Sequence, residues 1–101
     1  MAVEVHDNPD AERYEITVDG ALAGFAQYRA RPGLIAFVHT EVSDEHEGGG
    51  LGSRLVAFAL DDARERGLEV LPFCPFVSAF LVRHPEYVDL VPESRREVFG
   101  L

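Results

Sequence analysis

The sequence predicts one α/β domain of the α+β type, in which a mixed, mostly antiparallel sheet carries two helices. Three observations support this prediction: early segments in which apolar and polar residues alternate, an Asp-Gly pair between two of them, and a later segment with apolar residues at helical spacing. The 101 residues are enough for one domain, which we assign to residues 1–101.

Three strands are predicted to form an antiparallel meander. Arg13 to Val18 alternates, Asp19-Gly20 favours a two-residue hairpin turn, and Ala21 to Arg29 is the returning strand. The polar residues 7–12 are predicted to form a turn. Leu34 to Val42 is the strongest strand because it is rich in β-branched and aromatic residues. Strict alternation along it places on one face Ile35, Phe37, His39 and Glu41, and on the other Ala36, Val38, Thr40 and Val42.

Two helices and a further strand follow. Leu51 to Arg66 is predicted to be a helix that ends at Gly67, and Pro75 to about Arg83 is predicted to be a second helix. Between them, Leu68 to Phe73 is a short apolar strand. The predicted order is therefore three strands, helix, strand, helix, with parallel strands flanking the first helix. That helix is expected to bury Leu51, Leu55, Phe58, Ala59 and Ala63.

The composition limits the possible partners. The net charge of −9 comes from 9 basic and 18 acidic residues. A negative surface repels nucleic acid and anionic lipid, so we expect neither as a partner; it mildly favours amines, although acidity commonly serves solubility.

No apolar run approaches the roughly 18 residues of a membrane span, and the N-terminus lacks the pattern of a secretory signal. The single cysteine, Cys74, excludes an internal disulfide and suits the cytoplasm, where we expect the protein.

A glycine-rich loop lies between the strongest strand and the long helix, over Glu47 to Ser53. Backbone N–H groups at a helix N-terminus bind phosphate oxygens, and glycines lack the Cβ atoms that would hold a diphosphate away. No lysine follows the glycines, as a Walker loop requires, and Ser53 stands where the dinucleotide fingerprint needs its third glycine. The sequence therefore predicts a phosphate site of another kind.

The loop resembles the acyl-CoA loop of the GNAT N-acetyltransferases. Gly50 and Gly52 match its pattern, whereas Glu47 stands where glutamine or arginine is usual, which removes a favourable charge but no backbone donor. The very short members of that family resemble this chain over almost its whole span. The shared motifs are His39-Thr40-Glu41-Val42, the glycine loop, Ala63-Arg64 with Gly67, Pro72-x-Cys74-Pro75-Phe76-Val77 and His84-Pro85-Glu86-Tyr87.

This resemblance implies a minimal GNAT-like acyl-CoA N-acyltransferase fold, with acetyl-CoA as the cofactor and an amine as the acceptor. In that family the strand before the loop splays from its neighbour, and its free backbone holds the pantetheine arm and the thioester. By resemblance, Val42 and Ser43 occupy that position. The cofactor-binding residues are then predicted to be Val42, Ser43, Glu47, Gly48, Gly49, Gly50, Leu51, Gly52 and Ser53.

Three residues are candidates for proton handling. His39 and Glu41 are two apart on one strand, so both project from the same face and are candidate general bases; the alternatives are a strand-pinning histidine and a solvated carboxylate. Cys74 ends the neighbouring strand and is a proton donor, a nucleophile or simply a small buried side chain. The tyrosine acid usual in the family is absent, since Phe80 and Val82 stand at the matching part of the chain.

We therefore predict an enzyme that transfers an acetyl group from acetyl-CoA to an amine of unknown identity, a small molecule or a peptide. Arg54, Arg64 and Arg83 either reach the CoA phosphates or are solvated helix residues. The acidic run over residues 44–47 lacks a metal-binding pattern, so we assign no metal site. The alternatives are a non-catalytic acyl-CoA-binding regulatory module and an unrelated nucleotide-phosphate binder. Oligomerisation that completes the pocket is left open.

Overall fold

The computed structural model describes residues 2–43 and 50–101. A five-stranded sheet has the strand order β1-β2-β3-β4-β5, in which β1 to β4 pair antiparallel and β5 runs parallel to β4. The strands are β1 (Val3–Asn8), β2 (Arg13–Val18), β3 (Ala21–Arg31), β4 (Leu34–Val42) and β5 (Glu69–Pro72), and the helices are α1 (Leu51–Glu65) and α2 (Pro75–Arg83). Short 3₁₀ turns follow, at Pro85–Leu90, Glu93–Arg95 and Glu97–Phe99.

The predicted fold class is confirmed, and so is the parallel strand-helix-strand unit formed by β4, α1 and β5. The hairpin between β2 and β3 also forms as predicted. Asp19 and Gly20 both adopt positive φ, of 51° and 84°, as a two-residue turn of type I′ requires.

The prediction of three strands before the first helix was wrong, because β1 is a fourth. The segment predicted to turn over residues 7–12 begins with the end of this strand, and the turn is confined to Pro9–Ala11 and its neighbours. Asp7 and Asn8 are poor strand formers, which hid the strand in the sequence. Their side chains are held in the folded protein: Asp7 accepts hydrogen bonds from Tyr28 and Arg66, and Asn8 donates one to Glu15.

The core lies between one face of the sheet and the two helices. It contains Tyr14, Ile16 and Val18 of β2, as the alternation predicted. Helix α1 buries a broader stripe than predicted, because Val56 and Leu60 are also inside while Phe58 is 40% exposed. The ring of Phe58 lies across the edge of Tyr14, with 6.1 Å between ring centroids, so it rims the core. Within residues 2–43 and 50–101, no helix has both the length and the apolar character needed to cross a membrane.

A polar cluster ties the C-terminal end of α1 to the early strands. The hydroxyl of Tyr14 donates to Asp62 and that of Tyr28 donates to Asp7, while Arg66 pairs with both carboxylates, at 3.1 and 3.0 Å. Burial, and then the hydrogen bond to the carboxylate, raise the pKa of Tyr14 and of Tyr28 well above the ordinary value. The cluster therefore anchors β1 and β2 to α1 at the end of the helix remote from the glycine loop.

Candidate functional site

A β-bulge in β4 sets the orientation of the candidate bases. The register of β3 and β4 shifts between Gln27, which faces His39, and Tyr28, which faces Phe37, so Val38 has no partner. The extra residue reverses the alternation beyond it. Phe37 is therefore buried, whereas the side chains of His39 and Glu41 are 54% and 61% exposed. The prediction that these two share a face with Ile35 and Phe37 was wrong for this reason.

His39 and Glu41 nevertheless project from one face together, as their spacing predicted. His39 Nε2 lies 3.1 Å from Glu41 Oε1 on the face of the sheet that the helices do not cover. The ring of Phe25 lies 6.0 Å from the imidazole, centroid to centroid. An imidazole oriented by a carboxylate is a common arrangement for proton transfer.

Cys74 lies on the other side of β4. Its side chain is 3% exposed, and its Sγ is 3.3 Å from the hydroxyl oxygen of Thr40, which projects from β4 opposite to His39 and Glu41. The structure therefore brings two of the three candidate proton-handling residues together and separates them from the third by the thickness of the sheet. Cys74 is also the N-cap residue of α2.

Beyond the bulge, β4 has no neighbour on its β5 side among the described residues. The parallel pairing ends at Phe37 and Pro72, and the N–H of Cys74 donates to the carbonyl oxygen of Phe37 at 2.9 Å. Pro75 then starts α2, which leads the chain away from the sheet. The two elements therefore diverge from this point.

The divergence leaves particular main-chain groups available. The N–H of Ser43 donates to the carbonyl oxygen of Ala23 at 2.7 Å, so it is already used in the ladder with β3. Because N–H groups alternate in direction along a strand, those of Thr40 and Val42 point away from β3, toward the gap. The resemblance suggested Val42 and Ser43 as backbone donors. The N–H of Val42 does point toward the gap, whereas that of Ser43 points toward β3, and the second N–H that points toward the gap is that of Thr40.

The N-terminus of α1 opens beside this gap. Gly50 precedes the helix with φ of 78°, a left-handed conformation that favours glycine. The first helical bond is the one from Arg54 to the Gly50 carbonyl oxygen, so the N–H groups of Leu51, Gly52 and Ser53 lack an acceptor within the helix. No side chain caps them among the described residues. Glu47, Gly48 and Gly49 lie outside the described residues.

Two glycines permit close packing around the gap. A Cβ on Gly52 would come within 2.6 Å of the ring of Phe76, and a Cβ on Gly24 would come within 2.6 Å of the carbonyl oxygen of Glu41. Gly52 therefore lets α2 approach α1, a role beyond the phosphate access for which the sequence singled it out. Gly24 was missed, although a glycine inside a strand is a known signal of close backbone approach.

These features surround one groove, with a volume of about 870 Å³. It is lined by Leu22–Phe25 of β3, Thr40–Ser43 at the end of β4, Gly50–Ser53 at the start of α1, and Phe76 and Arg83 of α2. The described part of the predicted cofactor set, Val42, Ser43 and Gly50 to Ser53, thus lies along it. Glu41 reaches it as well. The β3 residues and Phe76 were missed, since their part in the groove depends on how the strands and α2 pack.

The remaining candidates lie elsewhere. Arg64 makes two hydrogen bonds to Asp89, at 2.7 and 2.8 Å, so it fixes the segment after α2. Tyr87 donates to Asp61 at 2.8 Å and does not line the groove. Phe80 is buried and Val82 is exposed, and neither side chain can donate a proton. Cys74 does not line the groove itself, but its thiol contacts the hydroxyl of Thr40, which does.

The chain was compared with known proteins. A family model described as GCN5-related N-acetyl-transferase matches residues 13–90, more than half of the chain. None of the curated proteins matches it. Among solved structures, a GCN5-like protein of Staphylococcus aureus is 26% identical with a TM-score of 0.68, over 88% of this chain and 87% of that one.

Two longer proteins share the fold at lower identity. N-acetylglutamate synthase of Neisseria gonorrhoeae, complexed with coenzyme A and N-acetyl-glutamate, is 22% identical with a TM-score of 0.59, over 97% of this chain and 26% of that one. Ribosomal-protein-S18-alanine N-acetyltransferase of Escherichia coli is 22% identical with a TM-score of 0.55, over 57% of this chain. This chain spans only 38% of the Escherichia coli enzyme. The family match and the shared fold agree with the groove just described: the chain belongs to the GCN5-related N-acetyltransferase family.

Proposed function

We propose that this protein binds acetyl-CoA in the groove between β4 and α2 and transfers its acetyl group to an amine. One observation carries the proposal. The backbone of β4 loses its β5 neighbour after Phe37, at the place where the N-terminus of α1, which no described side chain caps, opens onto the same groove. Main-chain N–H groups without a partner among the described residues thus line the groove at two places, the end of β4 and the start of α1.

The residues present fit the coenzyme. The N–H groups of Leu51, Gly52 and Ser53 suit a diphosphate, because they form the positive end of a helix and no acidic residue lies in its first turn. The N–H groups of Thr40 and Val42 suit the amide-bearing pantetheine arm, as an added strand partner would. A volume of about 870 Å³ lies within the range of small-molecule and cofactor sites.

The two faces of β4 divide the proton handling. When bound, acetyl-CoA supplies the activated acetyl group. We assign removal of the amine proton to the His39–Glu41 pair, which lies on the open face where an acceptor has access. We assign protonation of the departing sulfur to Cys74, which lies on the core side beside Thr40. Of the two N–H groups that face the acyl-pantetheine arm, we assign that of Thr40, next to Cys74, to the thioester carbonyl oxygen, where negative charge develops.

The acceptor is proposed to be a primary amine that enters over the open sheet face. The net charge of −9 favours a cationic acceptor, and we infer action in the cytoplasm from the single cysteine. A second candidate function is a regulatory module that binds acetyl-CoA without turnover. It is favoured by the absence of any tyrosine among the described groove-lining residues.

Calorimetric titration with acetyl-CoA and CoA, followed by measurement of CoA release with a panel of amines, separates these functions. The chain contains no lysine, so lysine self-acetylation cannot contribute to the signal. Saturable binding with amine-dependent CoA release supports the transferase. Binding without release with any amine supports the regulatory module. Absence of binding to either compound would overturn both.

A further inference from the structure

We infer that Arg83 binds a phosphate group of the coenzyme's nucleotide half and sets the preference of the groove for phosphorylated ligands. This inference rests on the proposed function and extends it to a residue outside the glycine loop. Arg83 ends α2 and is the one cation among the described groove-lining residues. In a chain of net charge −9, a local cation offsets the repulsion of a polyanion.

Among the described residues, five arginines form no ion pair, namely Arg31, Arg54, Arg83, Arg95 and Arg96, and of these only Arg83 lines the groove. Arg13, Arg29, Arg64 and Arg66 each pair with a carboxylate, namely Glu15, Glu12, Asp89 and Asp7. Within the part of the chain that the structure describes, Arg83 forms no ion pair, although 18 acidic residues are in the sequence. Its side chain is exposed, and none of its donors has a partner among residues 2–43 and 50–101.

The position of Arg83 along α2 indicates which part of the ligand it meets. Cys74, at the start of α2, marks the thioester end through its contact with Thr40. Phe76 touches Gly52 in the first turn of α1, so the proposed diphosphate site lies next to it. Arg83 is seven residues further, on the same helix face and about 10 Å along the axis. It therefore lies beyond the diphosphate site, on the side remote from the thioester.

The test compares ligands that lose phosphates stepwise. Arg83→Gln and wild type are titrated calorimetrically with CoA, 3′-dephospho-CoA and pantetheine. We expect the substitution to weaken CoA binding by about tenfold and to leave pantetheine binding unchanged, because pantetheine has no phosphate. If the loss persists with 3′-dephospho-CoA, Arg83 binds the diphosphate. If the loss disappears, it binds the 3′-phosphate.

Two further variants control for net charge and for shape. Arg31→Gln removes the same charge at the far end of β3, where the Arg31 guanidinium donates to the adjacent carbonyl oxygen of Ala30, and should bind CoA like wild type. Arg83→Lys should recover part of the affinity, and the loss in Arg83→Gln should shrink at high salt. Equal affinities of Arg83→Gln and wild type for CoA would overturn the inference, as would an equal loss for pantetheine. Failure of the wild type to bind CoA would instead overturn the proposed function.

Discussion

The thiol of Cys74 lies 3.3 Å from the hydroxyl of Thr40, on the side of β4 opposite to the His39–Glu41 pair. The bulge at Val38 produces this separation, because it turns His39 and Glu41 outward and Thr40 inward. A reaction carried out at this gap would take up the amine on one face of the sheet and release the sulfur on the other. The two sets of groups can therefore be tested separately.

Cys74→Ala is expected to lower kcat for acetyl transfer by roughly 10²-fold while changing the affinity for acetyl-CoA little, since a proton donor acts on the departing sulfur. The matched control is Val77→Ala, which removes a buried side chain from the same helix without removing a thiol. An equal loss of kcat in the control would mean that Cys74 serves packing alone.

Glu41→Gln and His39→Gln are each expected to lower kcat/KM by about 10²-fold and to alter its pH profile, because they remove members of one proton-accepting pair. Glu4→Gln, a change of an exposed carboxylate on β1, is the control for charge. The double variant should be little worse than either single one, since the two residues act as a unit. Independent, multiplying effects would contradict the pairing at 3.1 Å.

Gly24→Ala is expected to lower the free energy of unfolding by about 2–3 kcal/mol, since the added Cβ would lie 2.6 Å from the backbone carbonyl oxygen of Glu41. Gly20→Ala is the comparison, because nothing lies within 4 Å of its Cβ and its effect comes from its positive φ of 84° alone, about 1–2 kcal/mol. Urea unfolding measures both. An effect at Gly24 no larger than that at Gly20 would contradict the close contact between β3 and β4.

Tyr14→Phe tests the polar cluster, with an expected loss of about 1 kcal/mol at neutral pH from the hydrogen bond to Asp62. Burial and this hydrogen bond raise the pKa of Tyr14 above its ordinary 10.0. The native state then holds the proton that the unfolded state releases, so stability is complete below pH 10 and falls above it, by about 1.4 kcal/mol per pH unit for each such tyrosine. The variant should show a shallower fall in alkaline urea titrations. An unchanged slope would argue against the raised pKa.

Local sequence signals explain the parts of the fold that could be predicted. Asp19-Gly20 supplies the positive φ angles of a two-residue turn, and Leu51 to Glu65 carries the apolar spacing of a helix. These features depend on neighbours in sequence. The first strand escaped prediction because Asp7 and Asn8 are stabilised by partners on β2, β3 and α1 that lie far away in the chain.

The candidate site, like the fold, was predictable only where it depends on residues close together in sequence. The glycine loop and the spacing of His39 and Glu41 are local and led to the groove and to the pair. The bulge at Val38 depends on the register with β3, and no residue type in β4 marks it. The groove residues on β3 and α2, such as Gly24 and Phe76, depend on tertiary packing, and so could not be found from the spacing of motifs.

A titration of the isotope-labelled protein with CoA, followed by amide resonances, tests the central claim most directly. We predict saturable shifts at the N–H groups of Thr40, Val42 and Leu51 to Ser53, with the amides of β1 unchanged. Equal shifts with pantetheine at Thr40 and Val42, but none at Leu51 to Ser53, would locate the two halves of the ligand as proposed. Absence of shifts at these amides, or shifts centred on Tyr14 and Asp62 at the other end of α1, would contradict the account.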